Sequence, residues 1–363
     1  MVKFIKPKIL FIYPNQFGYH TDSYKYCEYL KDSFDIIYFC FDQGLERIYL
    51  PEINVVYMPF KIGKIKRLIH FYYHIINYTK KAEIDIIFTI QFKFCFLIGL
   101  FAKTKTKILD FRSGDLSTYT LYRNLKNIFL WLDSLFFPHI TVISEGLRVL
   151  LHLHKTKTFI LPLGGDILST QSHSFERLDL LYVGSFNSRN IHETIEGIAL
   201  FLAKHEEYSP LISYTIIGFG NDNDERKIKK TIDLWGLKEV VHFVGRKKYT
   251  ELAAYFDACN IGISYVPKRP YYEYQPVTKT FEYTNSGLFT IATNTYENRK
   301  VINEQNGILC NDNPEEFSEA LEHICRIKNK IDEIEIRSSL KNFRWVKIIN
   351  STLNPYLKGL LEK

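Results

Sequence analysis

Residues 276–292 read PVTKTFEYTNSGLFTIA. Thr278 is placed to open a helix, since a hydroxyl can accept hydrogen bonds from the amides of a first turn. Gly287 is placed to end it, because glycine takes the left-handed conformation of a helix exit without strain. Leu288 to Ala292 then reads as a buried strand. Lys279 and Glu282 fall in the expected first turn, where unpaired amides and the helix dipole favour an anion. Taken alone, these residues are as well described by an ordinary capped surface helix with an acidic first turn.

Working outward, short apolar runs alternate with helical patterns from one end of the chain to the other, which predicts parallel βα architecture. In the second half the expected strands are 178–183, 212–217, 240–244, 261–265 and 308–310, besides the one after Gly287. In the first half they are 8–13, 36–40, 53–58, 85–90, 107–111, 140–143 and 158–161. A polar stretch, LSTQSHSFER (168–177), separates the halves and reads as a linker. The expected organisation is a first domain over 1–167, a second over 178–343, and a terminal helical segment over 344–363. The fold class is α/β, with two Rossmann-like doubly wound parallel sheets facing a cleft.

Composition narrows the function. Hydrophobic residues make up 46% and charged residues 24% of 363 residues, as in ordinary soluble proteins. The six cysteines have neither C-x-x-C nor metal-ligand spacing and read as buried thiols in a reducing compartment. Lys3, Lys6 and Lys8 run directly into a strand-like segment, so no signal peptide is expected. The longest apolar stretch, 84–102, is broken by Asp85, Gln91 and Lys93 and does not read as a membrane span. Residues 1–166 hold 22 Lys and Arg against 14 Asp and Glu, whereas the rest of the chain holds 25 against 26. All the excess positive charge therefore lies in the first half, which fits either an anionic surface as partner or a solvated basic face. No nucleic-acid-binding motif accompanies it. Asp222 and Asp224 are expected to cap the helix after the second strand of the second half, and His70 and His74 lack an acidic third ligand. No metal and no cofactor are expected.

Several motifs fall in one order: VISEGLR (142–148), PLGGD (162–166), YVG (182–184), IIGFG (216–220), FVGR (243–246), the K-x-F-E-Y helix (279–283) and NGIL (306–309). This order resembles the retaining GT-B glycosyltransferases of family 4. The resemblance covers 140–345 and more loosely the first 140 residues. It implies transfer of a sugar from a nucleotide sugar to an acceptor with retention of configuration. Glu282 is implied to bind the ribose, and Glu273, one place from the family's second glutamate position (here Tyr274), the sugar. The backbone at Gly245 and Arg246 would meet the base, with Gly184, Thr278 and Thr280 completing the donor set. The family's diphosphate-clamping arginine and lysine positions hold Ser185 and Asn190, so Arg189 and Lys279 are the candidate cations. Where the family's first domain often offers a histidine, this chain has Arg112 and Asp115. Asp115 joins Arg189 and Lys279 as a catalytic candidate, and Arg112 and Gly18 are placed on the acceptor side.

Leaving-group stabilisation is electrostatic, so fixed cations aimed at the phosphates are the central requirement. The expected acceptor is a glycan or lipid-linked glycan, as in cell-surface polysaccharide synthesis at the cytoplasmic face of a membrane. Lys61, Lys64, Lys66 and Arg67 are expected to attract an anionic membrane surface. The stripe Ile62, Ile65, Ile69, Tyr72, Tyr73 and Ile76 on that helix is expected to face the core, giving docking without insertion. The alternative from another class is a non-catalytic nucleotide-sugar-binding protein or scaffold.

Overall fold

The structure, a computed structural model, describes residues 6–61 and 63–362. Ile62 and the leading segment with Lys3 lie outside the described residues. The chain divides into two compact units: one runs to Leu163 and takes in the chain from Trp345 onward, and the other is Gly164–Arg344.

The first unit is built on seven strands: β1 (Lys8–Ile12), β2 (Asp35–Asp42), β3 (Ile53–Pro59), β4 (Ile86–Ile90), β5 (Thr106–Phe111), β6 (His139–Val142) and β7 (Thr158–Ile160). They lie in the order β3-β2-β1-β4-β5-β6-β7, and every pair is parallel. Continuous apolar runs such as IIFTI in β4 are buried along their whole length, as a sheet covered on both faces requires. An aromatic group formed by Phe11, Tyr26, Tyr38 and Phe88 fills one side. The terminal segment completes this unit. Trp345 is buried against Tyr26 with ring centroids 6.1 Å apart, and Tyr356 stacks on Phe159 at 4.0 Å.

The second unit has six parallel strands: β8 (Leu178–Ser185), β9 (Ile212–Phe219), β10 (Val241–Gly245), β11 (Ile261–Ser264), β12 (Phe289–Thr293) and β13 (Gly307–Cys310). Their order is β10-β9-β8-β11-β12-β13. The order reverses between β8 and β11, so a crevice opens at their carboxyl ends, where such sheets take ligands.

Local expectations need correction at four places. The key helix spans Thr278–Asn285 with Val277 as N-cap and no capping side chain; Thr278 is its first residue, and Glu282 lies beyond the first turn. The helix Asp222–Leu234 is capped by Asn221, which accepts from the amides of Asn223 and Asp224 at 3.0 Å, and not by Asp222 or Asp224. The polar stretch 168–177 belongs to the second unit. Ser169 is buried and donates to Asp257 at 2.5 Å, while Arg337 grips the carbonyls of Ser169 and Gln171 at 2.7 Å each. The fourth concerns the helix Lys64–Lys81, which buries Phe71, Tyr72, Ile75 and Thr79. Ile65, Ile69 and Tyr73, expected in the core, are exposed because the helix is apolar on two faces and the sheet takes the other one.

Candidate functional site

The carboxyl edge of the second sheet brings Arg189, Lys279, Gly184 and Glu282 together. β8 ends in Gly184-Ser185, and the loop that follows is strained: Ser188 and Asn190 both have positive φ, 54° and 53°. Two left-handed non-glycine residues cost on the order of 1 kcal/mol or more each, and such strain persists where the surroundings fix it. Its effect is to hold Arg189 between them. The Arg189 guanidinium lies 4.3 Å from the centroid of Tyr272, and its Nη1 is buried with no hydrogen-bond partner.

Lys279 occupies the second position of the Thr278–Asn285 helix, and its Nζ sits 3.6 Å from the centroid of Tyr182. Tyr182 is itself fixed by donating its hydroxyl to the Ser185 carbonyl at 2.7 Å. A Cβ on residue 184 would come within 3.0 Å of the Lys279 amine, so glycine, with φ of +154°, leaves the space this amine fills. Desolvation, with the Arg189 charge adding to it, pushes the Lys279 amine well below its ordinary range, and Glu282 opposes this only in part. Two basic side chains held beside each other over aromatic rings are an arrangement that an anion would stabilise.

Gly165, which the sequence marks only as part of the PLGGD motif, has a packing role. A Cβ there would lie 2.7 Å from the Glu282 amide nitrogen and the Phe281 carbonyl carbon, so only glycine lets the chain at 165 pack on this helix. Asp166, next in the chain, accepts from the Tyr249 hydroxyl at 2.5 Å. Phe219, Tyr182 and Tyr272 were also not singled out in advance. The signal for Tyr272 was the tyrosine-rich run 271–274, and for Phe219 its place between two glycines. Gly245 ends β10 with φ of +79° and open space at its Cβ, and the exposed Arg246 stacks on Phe219 at 4.8 Å. Thr278 is half-buried at the helix start.

Other expected residues are placed elsewhere. Thr280 is fully buried, and its hydroxyl is shared with Ser264 at 2.6 Å and with Asn298 at 3.3 Å, so it presents nothing to a donor. Glu273 accepts from the Tyr296 amide at 2.7 Å and lies 3.9 Å from Arg299, holding the turn after β12. In the first unit Arg112 is a buried structural hub. It pairs with Asp22 at 2.5 Å and Asp110 at 3.7 Å and donates to the Leu161 carbonyl at 2.9 Å. Burial raises the Asp110 carboxyl to about 6 despite Arg112 and the bond from Thr141. Asp115 is held by Lys126 at 3.0 Å and by the Ser117 amide at 2.9 Å; burial raises its pKa, but these bonds outweigh it and keep the carboxyl ionised. Gly18 has φ of +91° and packs on Ile48, beside a loop that the buried Gln16 ties to the 43–45 backbone.

Residues 177–326 match the family described as Glycosyl transferases group 1. Solved structures agree over nearly the whole chain. Sucrose-phosphate synthase from Thermosynechococcus elongatus has 17% identity, covers 99% of this chain and 100% of its own, and superposes with a TM-score of 0.71. Anabaena HepE, solved with UDP and glucose, has 15% identity, coverage of 97% and 100%, and a TM-score of 0.73. The fold is GT-B. An α,α-trehalose-phosphate synthase (UDP-forming) from Burkholderia vietnamiensis shares this GT-B fold at 10% identity, with 98% of each chain covered and a TM-score of 0.74. No curated protein matches the sequence. Among the described residues no helix is long and apolar enough to cross a membrane, and no cluster of three or more His, Cys, Asp or Glu is placed to hold a metal ion.

Proposed function

We propose that the chain is a glycosyltransferase that moves a hexosyl group from a nucleoside diphosphate sugar to a glycan or lipid-linked glycan, with retention, as a family 4 enzyme. The observation that carries this reading is the pair Arg189 and Lys279, converging at the carboxyl end of β8 over Tyr272 and Tyr182. In the transfer the bond from the anomeric carbon to the diphosphate oxygen breaks and a bond to the acceptor oxygen forms. The diphosphate oxygen leaves with the bonding electron pair and takes up the acceptor's proton. Arg189, and Lys279 once the bound diphosphate has restored the proton on its desolvated amine, meet the negative charge as it develops, which is the interaction that lowers the barrier. They also stand where a metal ion would otherwise be needed, so the proposed reaction is metal-independent and a chelator leaves turnover unchanged.

Glu282, three residues along the same helix, is assigned to the ribose hydroxyls, and the aromatic face of Phe219 with Arg246 to the base. Support for a uridine nucleotide comes from the GT-B structure of HepE, which holds UDP. Cell-surface polysaccharide synthesis at the inner membrane face remains the proposed setting, with Lys61, Lys64 and Lys66 attracting anionic lipid. Arg67 is less free for this role, since it is half-buried 4.0 Å over Phe60.

The test is a thermal-shift scan of nucleoside diphosphates and nucleotide sugars, because a ligand of the folded state raises apparent stability. One nucleotide raises Tm in the native chain, and Glu282→Ala removes the shift without lowering the unliganded Tm. Unchanged binding in Glu282→Ala overturns the ribose assignment. A nucleotide sugar that binds but is never consumed, with any acceptor offered, turns the reading to a non-catalytic binder.

A further inference from the structure

The helix Thr120–Ser134 is inside out. The residues it buries are Arg123, Asp133 and Ser134. Arg123 donates to the Ser117 carbonyl at 3.0 Å, and Gln91 donates to Asp133 at 3.5 Å, so its polar groups are tied down on the protein side. Its outward face is apolar: Leu121 is 82% exposed, Leu125 56% and Phe129 65%, at spacing i, i+4, i+8, with Ile128 and Leu132 beside them. A soluble helix normally has the reverse pattern.

The face does not stop at one helix. From β3 the strand order advances in a single direction through β4, β5 and β6, so right-handed crossovers put the three connecting helices on one side of the sheet. Phe96 of the helix Phe96–Phe101 meets Phe136, just past the Thr120–Ser134 helix, with ring centroids 5.4 Å apart. Tyr72 of the Lys64–Lys81 helix stacks on Phe92 at 6.0 Å and donates to the Lys93 carbonyl at 2.7 Å. Leu100 and Phe101 are about half exposed, and Ile65, Ile69 and Tyr73 more than half. These residues put exposed apolar side chains on three neighbouring helices, the kind of surface that marks an interaction site.

Its free charge is of one sign. Residues 61–81 carry six Lys and Arg and no acid, and residues 91–107 four and none, while on the Thr120–Ser134 helix Arg123 is buried and Lys126 is paired with Asp115. We infer that this face is the membrane-docking surface of the protein and that its apolar residues insert into the headgroup and acyl boundary of an anionic lipid bilayer. An apolar layer ringed by lysines matches such a surface, where apolar burial and attraction to anionic lipid act together. A second copy of the chain matches it poorly, because the two basic rims would face each other. The inference extends the lipid contact proposed above from electrostatic attachment to insertion; it shares the lysines of residues 61–81 and adds the apolar residues of three helices.

The experiment uses the full chain with vesicles of phosphatidylcholine, with or without phosphatidylglycerol. Trp131 lies in this face, Trp235 is in the second unit, and Trp345 is buried. In a Trp235→Phe background, quenching by lipids brominated on the acyl chain therefore reports insertion at residue 131. The expected result is capture by anionic vesicles that salt weakens but does not abolish, with quenching in the bound state. The triple change Leu121→Ser, Leu125→Ser, Phe129→Ser lowers capture by about tenfold or more and removes the quenching. These side chains lie outside the core, and retained nucleotide-induced thermal shift confirms the fold. Capture fully reversed by salt, without quenching, overturns insertion and leaves electrostatic attachment standing. A chain that ignores vesicles but dimerises through residues 121–129 in sedimentation shows a self-association face instead. A monomer that ignores vesicles overturns lipid docking of either kind while leaving glycosyl transfer untouched.

Discussion

Both sheets carry an arginine past a strand's end, one residue past β5 and four past β8, and the two are held in opposite ways. Arg112, after β5, lies among carboxylates: Asp22 at 2.5 Å and Asp110 at 3.7 Å. Arg189, after β8, lies over a tyrosine ring beside a second cation, Lys279, whose amine is desolvated. The first arrangement offsets its charge internally with carboxylates, although Arg112 Nη2, like Arg189 Nη1, is buried without a hydrogen-bond partner. The second sets two basic groups side by side, and the proposed diphosphate is the ligand that would offset them. Position at the carboxyl end of a parallel strand marks both residues equally; the partner inventory separates them.

That contrast predicts effects on different properties. Arg112→Ala leaves two carboxylates in a buried place with no counter-charge and costs about 3–5 kcal/mol of stability. Chemical denaturation of the full chain reads the loss, and nucleoside diphosphate affinity measured where the variant is still folded stays at its native level. A large loss of affinity in a folded Arg112→Ala would break the comparison and return Arg112 to the functional site.

Arg189 and Lys279 behave in the opposite sense. Lys279→Met removes a desolvated amine beside a like charge and raises the unliganded Tm, while it weakens diphosphate binding by roughly 2 kcal/mol. Arg189→Ala weakens binding similarly, and the double change costs less than the sum because both residues touch one ligand charge. Strictly additive losses would mean two unrelated cations. The pH dependence follows from the sign of the shift. The Lys279 pKa is depressed in the folded chain, so between that value and the ordinary one the unfolded chain holds the extra proton. Stability from this group therefore rises with pH through that window and falls as pH falls. A bound diphosphate favours the charged amine, so binding takes up a proton, and affinity drops by at most about tenfold per pH unit above the depressed value. Calorimetry in buffers of different ionisation heat detects the uptake, and Lys279→Arg abolishes it.

How much of this was legible in the sequence depends on what sets each feature. The strands were readable because each is a run such as KILFI or IIFTI whose burial is fixed by composition, and their alternation with helices fixed the parallel topology. Gly287 was readable as a helix exit, and it takes φ of +85°. Partner choice was not readable. Nothing local in the sequence says that Asp22, 90 residues away, reaches Arg112, or that Tyr182 and Tyr272 take the two cations of the second unit. The Lys64–Lys81 helix failed for a related reason: its sequence has two apolar faces, and only the sheet decides which is covered.

Thr280 gives the smallest test of the same distinction. It sits one residue from Lys279 on a helix whose first turns face the proposed donor, so by sequence position it belongs to the site. By contacts it belongs to the core, with its hydroxyl between Ser264 at 2.6 Å and Asn298 at 3.3 Å and no exposed surface. Thr280→Val keeps the shape and removes the hydroxyl, leaving the Ser264 hydroxyl short of a partner where water does not reach. Such a loss costs about 1–2 kcal/mol, read as a lower denaturation midpoint. Nucleotide affinity should not move, because no atom of residue 280 is available to the ligand. If affinity falls while the midpoint holds, the helix start opens when the donor binds, and the inventory of contacts in the unliganded chain is then a poor guide to which residues act.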